Sequence, residues 1–398
     1  MNQTSSTGCK SPNFNLPVRQ NARVRGLRCI GCARHYPLAD MPTGCPICAD
    51  NGTPASVELV YSALPETLEV ASSGYAWGAW LPYTHGVSLD EGNTPCFDLK
   101  RLAQDLGVSQ LTVKHEGMNP TGSHKDRMSA QGISRALDVG ARTVVLASSG
   151  NAAVSAAAYC AVAGLRCEVA AYRGMPEPFV RALNRLGAKR LVFDQSFDRW
   201  AYVRQQVERE GAFALTNYSL PAVGSPAFGV EGYRAVALEC AADGCLPDHI
   251  LVPTARGDLL WGVYTGLRDL LASGLISHIP RLWAVEPFPR LTRVIGGASL
   301  QSEFVGQTAQ FSTAGSTVTL QQKLAVQLSG GGVVVSSDHE AAKGVSLLGA
   351  EGLWVELCAG ACVSALSSLL KQGQIVPTDH ALLLLTARGD RDTLDLKI

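Results

Sequence analysis

The chain has 398 residues, with 34 basic and 34 acidic side chains and a formal net charge of zero. That balance argues against a nucleic-acid partner, because nucleic-acid-binding proteins usually carry a basic surface. Polar residues and glycine interrupt every long apolar stretch, so no membrane span is expected. Residues 1–20 are polar at their start and lack the apolar core of a secretory signal. They are predicted to be a disordered leader of a cytoplasmic protein.

Residues 21–55 form a block rich in Cys, Pro and Gly that contains two C-x2-C pairs. Cys29 and Cys32 form the first pair, and Cys45 and Cys48 form the second. Each pair can present two thiolates to one tetrahedral zinc ion, which leaves no open position for catalysis. The pattern predicts a structural zinc ribbon, with free or disulfide-bonded cysteines as the alternative. Most of the other eight cysteines are expected to be small buried side chains in the reducing cytosol.

From about residue 57, short apolar or β-branched runs alternate with Ala-rich amphipathic stretches. This alternation predicts an α/β fold, in which helices cover both faces of parallel sheets. The predicted strands are 111–114, 143–147, 167–171, 190–193, 249–252, 282–285 and 381–386. The predicted helices are 129–138, 152–163, 177–186, 199–210, 229–242, 261–272, 338–348 and 361–371. Residues 296–336 receive no assignment.

A lysine close to a predicted helix start is the first candidate catalytic residue. Residues 119–122 read Asn-Pro-Thr-Gly and predict a turn, after which Ser123 can cap a helix. Lys125 then lies in the first helical turn, where the positive helix end lowers the pKa of an ammonium group. A neutral amine is the form that makes a Schiff base. This segment alone leaves a solvated surface lysine equally open.

Three further segments place polar groups where a predicted strand ends. Residues 148–151 (Ser-Ser-Gly-Asn) can bind a carboxylate through N–H groups at a helix start, although capped turns of this kind are common. Residues 254–258 (Thr-Ala-Arg-Gly-Asp) can hold a phosphate, with a charge-assisted contact from Arg256. Thr386 ends a predicted buried strand, at the edge where ligands bind in open α/β sheets. Its hydroxyl can meet a ring nitrogen.

Together these segments resemble the fold-type II enzymes that use pyridoxal 5'-phosphate (PLP), and most closely the threonine synthase family. The resemblance covers about residues 55–398 and includes Gly-Asn-Thr-Pro at 92–95 and Asn-Pro-Thr-Gly-Ser-His-Lys-Asp-Arg at 119–127. It implies that Lys125 holds PLP as a Schiff base, that Asn151 contacts the ring hydroxyl and that Thr386 faces the ring nitrogen. It also implies that the cofactor phosphate contacts Thr254, Ala255, Arg256, Gly257 and Asp258. The substrate would contact Thr94, Ser148, Ser149 and Gly150.

The resemblance implies a lyase that eliminates or replaces a β- or γ-group of an activated amino acid. The phosphate loop, however, is less glycine-rich than in the family, and Ala387 follows Thr386 where the family usually has glycine. These departures leave the cofactor assignment unchanged but count against phosphohomoserine as the substrate. One alternative is a β-replacement or β-elimination enzyme of specialised metabolism, either cysteate synthase-like or diaminopropionate-related. The other is a non-catalytic zinc-ribbon scaffold protein.

The predicted organisation is a zinc-ribbon-like segment at 21–55 followed by a PLP-dependent catalytic domain at 56–398. The catalytic domain is expected to have a smaller lobe at about 115–228 and a larger lobe formed by 56–114 and 229–398. The resemblance also suggests that the protein forms a homodimer. Its expected small-molecule partner is an amino-acid substrate.

Overall fold

The computed structural model describes residues 18–68 and 77–392. The predicted leader at 1–20 lies outside these residues except at its end, where Arg19–Gln20 form a short strand. The strands are β1 (Arg19–Gln20), β2 (Val24–Cys29), β3 (His35–Tyr36), β4 (Val57–Tyr61), β5 (Tyr83–His85), β6 (Cys96–Asp98), β7 (Gln110–His115), β8 (Thr143–Ala147), β9 (Arg166–Tyr172), β10 (Lys189–Phe193), β11 (Phe213–Ala214), β12 (His249–Pro253), β13 (Arg281–Glu286), β14 (Gly332–Val335) and β15 (His380–Leu385). The helices are α1 (Pro46–Asp50), α2 (Lys100–Leu106), α3 (Lys125–Asp138), α4 (Asn151–Ala163), α5 (Glu177–Arg185), α6 (Ser196–Glu210), α7 (Ala227–Glu231), α8 (Arg234–Ala242), α9 (Asp258–Ala272), α10 (Leu291–Ile295), α11 (Leu320–Leu328), α12 (Asp338–Ala350) and α13 (Leu357–Lys371).

The larger sheet has six strands in the order β14-β13-β12-β15-β7-β6. Five of these strands run parallel, and β6 pairs with β7 in the antiparallel direction at the edge. Alternate side chains of β12 enter two different apolar cores, with Ile250 and Val252 in one and Leu251 in the other. The sheet is therefore buried on both faces, which confirms the predicted α/β fold with parallel sheets.

The smaller sheet has four parallel strands in the order β10-β9-β8-β11. Helices α3 and α4 pack against each other, and α6 packs on β8 and β9. This sheet falls inside the predicted smaller lobe, although the lobe boundaries stay a prediction.

Two regions differ from the sequence-based expectation in detail. The single helix predicted at 229–242 is two helices, α7 and α8, which are separated at Gly232 and Tyr233. A Cβ on Gly232 would lie 2.0 Å from the carbonyl oxygen of Arg127, so only glycine allows α7 to approach α3 this closely. Residues 296–336, which received no assignment, contain α11 and the whole of β14. Every helix of the described residues is too short or too polar to cross a membrane.

The cysteine-rich block forms an antiparallel sheet of order β3-β2-β4, with α1 beside it. Cys29 ends β2, Cys45 caps α1 and Cys48 lies within α1. Gly44 precedes the cap with φ of 77°, and a Cβ there would lie 2.3 Å from the Ala55 carbonyl oxygen. Glycine is therefore required at the turn that delivers the second cysteine pair.

A buried group of charges joins the larger sheet to α3 and α8, and we call it the Arg127 network. Arg127 donates from Nε to Glu116 at 2.7 Å and from Nη1 to Glu239 at 2.6 Å. Lys114 forms an ion pair with Glu239 at 2.8 Å and donates to the Thr94 carbonyl at 2.6 Å. The Thr94 hydroxyl donates to Glu116 at 2.7 Å. Two cations and two anions are thus paired inside the protein. One of them, Arg127, lies two residues after Lys125, the first residue of α3.

We expect Arg127→Met to lower the free energy of unfolding by about 3–5 kcal/mol, because the carboxylates of Glu116 and Glu239 would lose their buried partner. Urea denaturation followed by circular dichroism measures this loss. The matched control is Arg173→Met, which removes the exposed ion pair with Asp194 and should leave the denaturation midpoint unchanged. Equal midpoints for wild type and Arg127→Met would contradict the structural role of the network.

Candidate active site

A cavity of about 560 Å³ is lined by residues from both parallel sheets and from their loops. Its size is typical of a small-molecule site. It brings together nearly all residues that the sequence predicted to contact cofactor or substrate, namely Lys125, Ser148, Ser149, Gly150, Asn151, Thr254, Ala255, Arg256, Gly257, Asp258 and Thr386. Thr94 is not among the described lining residues, and its hydroxyl is bonded to Glu116 in the Arg127 network. Its substrate contact stays a prediction.

Three helices that begin with a predicted site residue start at this cavity. Lys125, Asn151 and Asp258 are the first residues of α3, α4 and α9, and all three line the cavity. The N-terminal end of a helix carries unpaired N–H groups and a partial positive charge, so three such ends favour anions. Gly257 caps α9 with φ of 81°, and a Cβ there would lie 2.7 Å from Cβ of Gln322.

Lys125 points its amine at Tyr233, with 3.3 Å between Nζ and the phenol oxygen. Burial lowers the pKa of Lys125, and repulsion from Arg256 acts in the same direction against the attraction of Asp258 and Glu356. Burial also raises the pKa of Tyr233, which keeps the phenol neutral. The lowered pKa makes the neutral amine, which is the nucleophilic form, more accessible at Lys125.

His124, which precedes Lys125, fixes the start of α3 against β15. Its backbone N–H donates to the carbonyl oxygen of Thr386 at 3.0 Å, and its Nδ1 lies 3.1 Å from the same oxygen. The imidazole packs against Tyr233 with 5.5 Å between ring centroids. Burial, with repulsion from Lys125, lowers the pKa of His124. The neutral ring serves as an aromatic spacer beside the lysine.

Glu356 forms hydrogen bonds with two predicted site residues, Thr386 and Asn151, but was not itself predicted from the sequence. Its carboxylate accepts from Thr386 Oγ1 at 2.9 Å, from Asn151 Nδ2 at 3.1 Å and from Ser312 Oγ at 2.9 Å. Burial raises the pKa of Glu356. The residue is the N-cap of α13, whereas the sequence placed that helix at 361–371. Recognising the true helix start would have identified an acid at the end of a buried helix.

Asp258 is acidic in a loop predicted to hold a phosphate, and its contacts account for its presence. Its Oδ1 accepts from the Ser225 backbone N–H at 3.0 Å and from Gln321 Nε2 at 2.5 Å. Its Oδ2 accepts from the Ser225 hydroxyl at 2.6 Å. The carboxylate is therefore occupied in joining α9 to two neighbouring segments. The Thr254 N–H donates to the Val285 carbonyl oxygen, so an anion would meet the N–H groups of residues 255–258.

Two arginines give one wall of the cavity a positive charge, and only Arg256 was predicted. Arg199 donates to Ser149 Oγ at 3.3 Å, and the Arg256 guanidinium lies 5.5 Å from the Trp200 ring centroid. Within the described residues, neither arginine has a carboxylate within salt-bridge distance. Burial and repulsion from Arg256 lower the pKa of Arg199 to about 10. Two half-buried cations without a carboxylate in salt-bridge distance favour an anionic ligand.

The four cysteines of the C-x2-C pairs come together at a separate position. Their Sγ atoms all lie within 4.8 Å of one another. Cys29 and Cys48 are 3.5 Å apart, and Cys32 and Cys45 are 3.8 Å apart. Thiolates bound to tetrahedral zinc at 2.3 Å lie about 3.8 Å apart, so this donor set has the size of a zinc site. We call it the four-cysteine cluster.

Comparison with known proteins gives consistent matches. The family described as pyridoxal-phosphate dependent enzyme matches residues 87–387. Threonine synthase of Methanocaldococcus jannaschii is 30% identical over 321 residues, or 77% of this chain and 76% of that protein. Threonine synthase of Methanosarcina acetivorans is 29% identical over 379 residues, or 90% of each chain.

Two solved structures share the fold. Maize serine racemase superposes with a TM-score of 0.65 at 19% identity, over 77% of this chain and 89% of that one. O-ureido-L-serine synthase gives a TM-score of 0.63 at 23% identity, over 79% and 96%.

The raised pKa of Glu356 leads to a testable pH dependence. The folded protein holds this proton more tightly than the unfolded chain, whose glutamic acids titrate at roughly 4.3. The resulting stabilisation is complete below that value and is lost as pH rises through the folded pKa. Glu356→Gln cannot titrate. We therefore expect the thermal midpoint of the wild type to fall relative to this variant as pH rises from 4 to 8.

The control for this measurement is Glu208→Gln, which makes the same change at an exposed position on α6. Its midpoint should follow that of the wild type at every pH. A midpoint difference between wild type and Glu356→Gln that stays constant with pH would contradict a raised pKa at Glu356.

Proposed function

This chain belongs to the pyridoxal-phosphate-dependent enzymes, in the fold-type II, threonine synthase-like group, and we propose that Lys125 anchors its cofactor for elimination or replacement on an activated amino acid. The observation that carries the proposal is the meeting of the Lys125 amine, three helix starts and two unpaired arginines in one cavity. An amine, anion-binding loops and a buried hydroxyl are what a phosphorylated pyridine aldehyde requires.

The residues present fit PLP group by group. The loop from Thr254 to Asp258, together with Arg256 and the start of α9, suits a phosphate dianion. Asn151 carries an amide next to the start of α4, suited to a ring oxygen. When bound, PLP supplies an electron sink for the negative charge that develops at the substrate Cα. All other contributions come from the chain itself.

Lys125 has two roles in this proposal. It holds the cofactor at rest, and its neutral amine then accepts the Cα proton of the substrate and returns a proton at a later step. Its lowered pKa supports both roles, because a protonated lysine can neither attack a carbonyl nor act as a base. Tyr233, at 3.3 Å, orients the amine between these steps.

Thr386 and Glu356 form a relay at the position proposed for the ring nitrogen. In the structure the Thr386 hydroxyl donates to the Glu356 carboxylate at 2.9 Å. Burial raises the pKa of Glu356, which makes proton uptake by this carboxyl easier, and a protonated Glu356 would release the Thr386 hydroxyl to donate to a ring nitrogen that carries no proton. Such a nitrogen makes a weaker electron sink than a protonated one. Prompt loss of a leaving group is therefore favoured over transamination.

For the substrate we favour an amino acid with an anionic leaving group, such as phosphoserine; phosphohomoserine carries the same group, although the altered motifs count against it. The segment 148–150 at the start of α4 suits the substrate carboxylate, with the N–H groups of Ser149 and Gly150 as donors, since the Ser148 N–H donates to the Ala170 carbonyl oxygen. Arg199, which donates to Ser149, lies next to that position and has no acidic partner among the described residues. The guanidinium of Arg199, which is not part of the loop at 254–258, can thus bind a phosphate ester on the substrate side chain.

A product panel tests this assignment. Purified protein loaded with PLP is incubated with phosphohomoserine, phosphoserine, acetylserine or diaminopropionate, and products are followed by mass spectrometry. We expect turnover of a phosphorylated substrate. Arg199→Gln should lower kcat/KM for it by about tenfold or more, the effect of one lost charge-assisted hydrogen bond. Turnover of acetylserine or diaminopropionate alone would favour a specialised-metabolism enzyme instead.

The anchoring role of Lys125 has its own test. Lys125→Ala should lose the covalent attachment of PLP, which borohydride fixation and peptide mass spectrometry detect on the wild type. The control is Lys343→Ala, at an exposed position of α12, which should retain the attachment. Attachment that survives in Lys125→Ala would assign the cofactor to another lysine.

For the four-cysteine cluster we propose a structural zinc ion. Cys45→Ser should reduce the bound zinc, measured by elemental mass spectrometry, from one ion per chain to nearly none. It should also lower the thermal midpoint, because the metal holds the turns of the small antiparallel sheet together. Cys9→Ser, outside the described residues, serves as the control. Unchanged zinc content in Cys45→Ser would contradict the proposal.

A further inference from the structure

Three cysteines outside the four-cysteine cluster meet at the edge of the larger sheet, and we call them the thiol triad. Cys96 begins β6, Cys240 lies in α8, and Cys245 follows the turn at Gly244, which has φ of 66°. Their Sγ atoms lie within 4.8 Å of one another, and those of Cys96 and Cys245 are in contact at 2.6 Å. Three separate elements thus deliver three thiols to one point.

The spacing of the triad differs from that of the four-cysteine cluster. Sulfurs that share a zinc ion stay about 3.8 Å apart, whereas Cys96 and Cys245 are in direct contact at 2.6 Å. Within the described residues the group also has three ligand atoms, and not the four of a closed structural site. This arrangement favours chemistry between the sulfurs over a shared metal ion.

The surroundings of the triad favour a reactive thiol. Cys96 and Cys245 are half-buried, so small solutes reach them, while Cys240 is buried behind them. Hydrogen bonds from Cys240 and Cys96 lower the pKa of Cys245, and Lys114 and His380 lower it further. Lys114 is itself paired with Glu239 at 2.8 Å and lies 3.8 Å from Asp243, an acid whose own pKa is raised by burial. The thiolate is the form that attacks disulfides.

We propose that Cys96 and Cys245 are a thiol–disulfide exchange site that reacts with small aliphatic disulfides of the glutathione type. The Cys245 sulfur attacks one sulfur of the small disulfide, which breaks its S–S bond and releases one small thiolate. The Cys96 sulfur then attacks the Cys245 sulfur and releases the second small thiolate. Two protein thiols are oxidised to one disulfide, one small disulfide is reduced to two thiols, and the two protons pass to the released thiolates.

The new bond would fasten β6 to the turn that follows α8. Both ends adjoin the Arg127 network, since Thr94 lies two residues before Cys96 and the charge of Lys114, the partner of Glu239, acts on Cys245. None of the three cysteines is among the described residues that line the cavity. The site is therefore independent of the proposed reaction at Lys125, and its test succeeds or fails on its own.

Peptide mapping of the full-length protein tests the proposal. The protein is exposed to graded oxidised glutathione, free thiols are alkylated, and linked peptides are identified by fragmentation mass spectrometry. We expect a Cys96–Cys245 link with a mass lower by two hydrogen atoms, which excess reduced glutathione removes. Cys96→Ser and Cys245→Ser should each abolish the link, while Cys240→Ser should retain it. Circular dichroism confirms that each variant is folded.

Two results would overturn the proposal. The first is a wild-type protein that stays fully reduced, or carries only glutathione adducts, under conditions in which the small disulfide is in large excess. The second is a soft metal ion beyond the zinc of the four-cysteine cluster, found by elemental mass spectrometry and lost in Cys96→Ser but kept in Cys45→Ser. That result would make the triad a metal site.

Discussion

The structure depends on one buried cation, the guanidinium of Arg127, and on the two carboxylates that enclose it. A charge in the protein interior is tolerated only when its partners are fixed in place. Glu116 leaves the end of β7 and Glu239 belongs to α8, so their shared partner sets the position of α3 relative to the larger sheet. Lys125 starts that helix two residues earlier. The Lys125 amine is thus held by electrostatics outside the cavity.

Regular elements were predictable because their signal is local. The apolar runs of β12 and β15 and the Ala-rich pattern of α4 need no knowledge of distant residues. Lys125, Asn151 and Thr386 followed from motifs at strand ends, which parallel topology brings to one edge. Glu356 and Arg199 could not be found this way, because their roles come from contacts across the fold. Glu356 meets Asn151 at a separation of 205 residues.

The cysteines outside the C-x2-C pairs also show that contacts between distant residues cannot be predicted from local sequence. An apolar sequence neighbourhood predicts a small buried side chain, and for Cys362 that interpretation agrees with its burial. Cys96 and Cys245 look similar in sequence, yet they are 149 residues apart and their sulfurs touch. Spacing rules detect a metal site made of C-x2-C pairs, whereas a site assembled from separate elements has no sequence period.

The positive cavity has a practical consequence. Three helix starts and the guanidinium groups of Arg199 and Arg256 repel one another until an anion arrives, so we expect the protein without PLP to bind small dianions in general. Inorganic phosphate or sulfate would then compete for the same loop during purification. Under the proposed cofactor site, the extent to which a preparation takes up PLP would depend on the buffer in which it was handled, and loading should be carried out in a buffer of monovalent anions.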